Sequence, residues 1–169
     1  MRLVFKCGSR WIGPTSTKLS RRRKGLSDTD TAIKQAELIL KLYELRREPV
    51  MRSARSYVGG DFSPRSLEDF LSIMSAGDQH TAYVLQVYGY WDMVAAMVFH
   101  GALDESLVYN ACPEMYFQFA KIRPYIEEFR TKSSLPELFR NVQKFVEGSE
   151  EGRARLNSMA GHLRLSGKN

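Results

Sequence analysis

From Leu26 onward the apolar residues recur at spacings of three and four, the period of helices that bury one face. Ser27, Asp28 and Asp30 supply cap oxygens and negative charge for a first helix. Its expected buried stripe is Ile33, Ala36, Leu40 and Tyr43, widened by Ile39 and Leu42. Glu48-Pro49 predicts a break or kink, because proline disfavours a helical residue before it. A short helix then runs over 50–58 to Gly59-Gly60. Ser63-Pro64 predicts the next start, with Ser66 as a second possible cap one turn on. Leu67, Phe70, Leu71 and Met74 form the stripe, and Gly77 closes it.

Asp78 caps the most informative segment, Gln79 to His100, where Val84, Val87, Trp91, Val94 and Val98 lie at helical spacing. Tyr83, Tyr90, Met93, Met97 and Phe99 cover much of the rest, so this helix is apolar nearly all round. Such a helix sits in the middle of a bundle or in a membrane. Gln86, Asp92 and His100 argue for the bundle, since a carboxylate at mid-membrane costs about 2.5–3.5 kcal/mol. Further on, Asp104 caps a short helix and Pro113 opens another, with a kink expected at Pro124. Ser134 is expected to cap a helix over 135–146, and a polar helix runs from about Glu150 to Leu163. No run alternates as a strand does. The chain therefore reads as all-α: a compact bundle of five to seven helices over 26–165, with residues 166–169 frayed.

Charge divides the chain unevenly. Of its 25 basic side chains, eight lie in residues 1–25, which hold no acid, so the body is left slightly acidic with 17 basic against 19 acidic groups. Glycines and Pro14 interrupt any period in this leader, and Leu3-Val4-Phe5 is too short for a secretory signal. It reads as a disordered basic tail or a misassigned start. Arg21, Arg22, Arg23 and Lys24 would be its contacts to an anionic partner, nucleic acid or membrane. No lysine or arginine occurs from Ser66 to Ala120, which argues against nucleic acid on the helical body.

Candidate chemistry is sparse. The histidines, His80, His100 and His162, are far apart, with no Glu-x-x-His spacing, so neither metal nor cofactor is expected. Cys112 with His100 is a conceivable nucleophile and base, but a lone cysteine among apolar neighbours is more often core. Tyr83, Tyr88, Tyr90 and Trp91 form either a stacking platform or core. Asp92 is the most interesting polar residue. A carboxylate among apolar neighbours needs a partner or a proton. Arg46, Arg47, Arg55 and Arg123 are the candidate cations, for an ion pair clamping two helices or for an acid or base in a cleft.

Three stretches carry a resemblance: Leu42 to Pro49; Tyr90 to Asp104, with Trp91-Asp92 followed by an apolar helix and the Gly101-Ala102-Leu103-Asp104 turn; and Phe119 to Arg130. Together they resemble small bacterial proteins known only as a domain of unknown function, over roughly residues 30–155. The resemblance implies an all-helical bacterial protein and brings no activity and no catalytic residues.

These readings favour a cytoplasmic interaction or scaffold module without catalytic chemistry, associating with a protein partner or with itself. A small-ligand site with Asp92 and an arginine between helices is the alternative, and anionic binding through the tail a third. The tail yields a test. A chain beginning at Leu26 should keep the melting temperature and helical circular dichroism of the full chain. A large loss of stability would show that Trp11 and its neighbours dock on the bundle.

Overall fold

The computed structural model describes residues 28–166. The expected basic tail, with Arg21 to Lys24, and residues 167–169 lie outside that range. Nine helices occur among the described residues, more than the five to seven expected: α1 (Asp28–Arg47), α2 (Pro49–Gly59), α3 (Leu67–Ser75), α4 (Gln79–Phe99), α5 (Glu105–Ala111), α6 (Pro113–Ile122), α7 (Ile126–Ser133), α8 (Arg140–Gly148) and α9 (Glu150–Ser166). Local chemistry sets many of the ends. Pro49 and Pro113 open their helices, where a missing N–H costs nothing. The carboxylates of Asp78 and Asp104 accept from Thr81 N and Leu107 N at 2.9 and 3.0 Å. Gly77 and Gly101 turn the chain at positive φ.

Three expected boundaries move. Pro124 breaks its helix rather than kinking it, so α6 and α7 are separate. Ser66, not Ser63, caps α3, its hydroxyl accepting from Asp69 N at 3.1 Å. Ser134 does not cap α8. It adopts a left-handed conformation that closes α7, and α8 begins only at Arg140, after a second left-handed residue, Phe139.

The α4 helix is the axis of the fold and packs against α2, α3, α6 and α8, while α9 covers α6 and α8. Val84, Val87, Tyr88, Trp91, Val94 and Ala95 of α4 are buried. They join Val58, Phe62, Phe70, Phe119, Ile126 and Phe145 in one core. Trp91 is 1% exposed, as its place in the central stripe implied. Met93 and Phe99, on the same helix, stay exposed.

The α1 helix turns a different face inward from the one its spacing suggested. Ile39, Leu42 and Arg46 are buried, whereas Ile33, Leu40 and Tyr43 are 53%, 63% and 41% exposed. Both stripes are apolar, so polar anchors settle the rotation. Tyr90 donates its hydroxyl proton to Leu42 O at 3.0 Å, and Arg46 reaches Glu114 on α6.

Helices α8 and α9 meet at a glycine. A Cβ on Gly152 would sit 2.8 Å from Val146 O, a backbone atom that cannot swing aside. Gly152→Ala should therefore cost about 1–3 kcal/mol through forced separation of the two helices. The same change at Gly89, exposed on α4 with open space where its Cβ would stand, should stabilise by about 0.5–1 kcal/mol. Denaturant titrations of the two variants check the opposite signs.

Candidate functional site

A group of charged and reactive side chains lies where the end of α1, the middle of α2 and the start of α6 converge beside α4. Glu114 is its centre. Arg55 of α2 donates to both carboxylate oxygens, Nε to Oε1 at 3.0 Å and Nη2 to Oε2 at 2.6 Å. Arg46 of α1 donates to the same Oε2. Helix placement reinforces the attraction. Glu114 stands in the first turn of α6 and Arg46 in the last turn of α1, each at the end whose dipole favours its charge. The Arg46 guanidinium also lies over Trp91, 5.2 Å from the ring centroid, and over Tyr43 at 5.0 Å. Two cations on one anion leave the cluster with one net positive charge.

Its titration behaviour is that of a clasp. Burial alone would push the Glu114 carboxyl up, but hydrogen bonding from Arg55 and the charges of Arg46 and Arg55 outweigh it and hold the pKa below the ordinary glutamate value. Cys112, next in the group, goes the other way: burial pushes its thiol up against the pull of Arg46. A thiol held protonated is a poor nucleophile. His100 is exposed at the end of α4 and shares no hydrogen bond with Cys112 among the described residues. The conceivable cysteine–histidine pair is thus not assembled.

Asp92 was expected to face one of four arginines, and its carboxylate lies elsewhere. Oδ1 accepts from Val142 N and Oδ2 from Asn141 Nδ2, both at 2.9 Å. A residue of α4 therefore caps the first turn of α8, where backbone N–H groups lack helical partners. Arg46 and Arg55 go to Glu114 instead. Arg123 donates to Glu147 at 2.8 Å and to Asn157 at 2.8 Å. Arg47 is exposed at the end of α1. The aromatic set does not form a stacking platform. Tyr88 is fully buried and donates to Gln118 O at 2.8 Å, Tyr90 and Trp91 are buried, and Tyr83 sits partly buried against Tyr57.

A cleft of about 550 Å³ opens among Ser63, Ala120, Lys121, Arg123, Tyr125 and Leu163. Lys121 is buried, and its ammonium donates to Val58 O, Gly59 O and Phe62 O at 2.7–2.9 Å. Burial brings its pKa down to about 8, partly offset by Asp61. All three of its protons are engaged with the carbonyls at the end of α2, and Arg123 is paired. Among the described residues no group of His, Cys, Asp and Glu could hold a metal ion.

Glu114 and Lys121 went unnoticed in the sequence. The signal for Glu114 was present: it is an acid inside the cation-free run from Ser66 to Ala120, so any partner had to come from another helix.

Fold and site together define an all-helical bundle whose buried charges join one helix to another. The chain belongs to the family described as a domain of unknown function, DUF4760, whose family model matches residues 31–149, from α1 through α8. No curated protein and no solved structure matches the chain.

Acid should release the Glu114 clasp. A carboxyl whose folded pKa is lowered stabilises the fold above its unfolded value, about 4.3, and the contribution is lost as pH falls through the folded value. Glu114→Gln should remove about 2–4 kcal/mol at neutral pH, leaving two cations without their anion. It should also flatten the acid limb of the stability curve. Urea titrations of both proteins from neutral pH into the acid range check this, and parallel curves would refute it.

Proposed function

We propose that this protein is a non-enzymatic helical interaction module. The observation that carries the reading is the apolar stripe of α1, where Ile33, Leu40 and Tyr43 stand exposed beside Ala36 on a helix whose opposite edge is anchored to the bundle. Exposed apolar stripes at helical spacing are what helix-in-groove and helix–helix partners recognise. Support also comes from the interior. Glu114, Asp92, Lys121 and Arg123 each hold a helix in place, and the Cys112 thiol is pushed toward its protonated form.

The module acts in the bacterial cytoplasm on this reading. The buried free thiol of Cys112 suits a reducing compartment. None of the described helices is long and apolar enough to cross a membrane.

Photo-crosslinking inside living cells tests the reading. A photoreactive side chain replacing Leu40 should give a discrete protein adduct, and the same group replacing Arg52, exposed on α2, should not. Absence of any protein adduct from position 40 would overturn the module.

A further inference from the structure

We infer that the partner of α1 is α1 of a second copy of this chain, laid antiparallel across a two-fold axis. The inference rests on the interaction reading above and deepens it. Charge along the helix supports it first. Residues 28–37 carry Asp28, Asp30, Lys34 and Glu37, a net charge of −2, while the exposed charges of residues 38–47, Lys41, Glu44 and Arg47, sum to +1, Arg46 being buried and bound to Glu114. A parallel pairing sets like halves together. An antiparallel one sets each acidic half against a basic half and opposes the helix dipoles.

Shape supports it second. The exposed stripe steps by three, four and three residues from Ile33 through Ala36 and Leu40 to Tyr43, the spacing of alternate seam positions in a coiled coil. In an antiparallel pair the two-fold that sets Ala36 opposite Leu40 also sets Ile33 opposite Tyr43. Each Leu40 then meets the small Ala36 of the other helix, and a large residue flanks each end. One stripe is its own complement, as an isologous dimer requires. The buried stripe of Ile39, Leu42 and Arg46 already faces the bundle, so pairing demands no rearrangement of the core.

Light scattering on the full chain at micromolar concentration should give twice the 19.4 kDa chain mass. Leu40→Glu should raise the dimer dissociation constant roughly 30-fold or more, as loss of a central contact does. Its circular dichroism should not change, since Leu40 is exposed. Orientation is read in a Cys7→Ser background by mixing chains carrying Ile33→Cys with chains carrying Tyr43→Cys. The antiparallel pair links the two kinds to each other under oxidation, and predominant linkage of each kind to itself would overturn the orientation. A monomer by light scattering, together with a position-40 adduct of another mass, overturns self-pairing and leaves the interaction module standing. A crosslink from position 40 into residues 1–27 of the same chain overturns both.

Discussion

A chain cut into many short helices must satisfy many helix ends, and this need organises the whole molecule. Each end leaves several backbone N–H or C=O groups without helical partners. In helices of seven to eleven residues those groups are a large share of the backbone, and packing takes many of them out of water. A buried polar group left unpaired costs about 1–3 kcal/mol. The structure meets the requirement with side chains from elsewhere in the fold. Asp92 of α4 caps the start of α8. Lys121 of α6 gathers three carbonyls at and beyond the end of α2. Tyr43 of α1 donates to Ala111 O at the end of α5. Arg130 of α7 holds Leu138 O in the turn before α8 at 2.8 Å.

The same constraint accounts for the scarcity of chemistry in the interior. A buried carboxylate, a lysine with a pKa near 8 and a pair of arginines are the ingredients from which active sites are made. Here each acts as a distant helix cap or as a clasp between helices. Lys121 illustrates the point: its ammonium spends all three protons on backbone carbonyls and must lose one of them before the nitrogen has a lone pair to attack with. The Glu114 clasp is similar, since both of its carboxylate oxygens are taken up by arginines of two other helices.

Elements whose ends have local causes were legible in the sequence. Pro49, Pro113, Asp78 and Asp104 mark boundaries that the structure keeps, and the Trp91 stripe lies where its spacing places it. What was not legible depended on residues far apart along the chain. Ser134 looked like the cap of α8 because a nearby hydroxyl is the usual donor of that service, but the cap comes from Asp92, fifty residues earlier. Asp92 looked like half of an ion pair because backbone N–H groups of another helix leave no mark in a residue pattern. On α1 two apolar stripes competed, and spacing cannot rank them. The choice was made by Arg46, a charged residue on the buried side whose partner lies 68 residues away.

That choice has an energetic consequence for α1 itself. Its anchors gather in the C-terminal half: Tyr90 to Leu42, Tyr43 to Ala111 and Arg46 to Glu114. In the N-terminal half Asp104 N, at the start of α5, donates to Gln35 Oε1 at 3.3 Å, and Ile33 is exposed. Helices of this length are marginal in water without packing, because the backbone entropy of ordering each residue has little to offset it. A partner that packs on Ile33, Ala36, Leu40 and Tyr43 adds apolar contact along both halves of the helix. Such a partner would also border the clasp at Glu114, because the Tyr43 ring of the stripe lies against the Arg46 guanidinium at 5.0 Å. The affinity of such a pair is what that apolar contact leaves after the side chains of the stripe are ordered and two chains are joined.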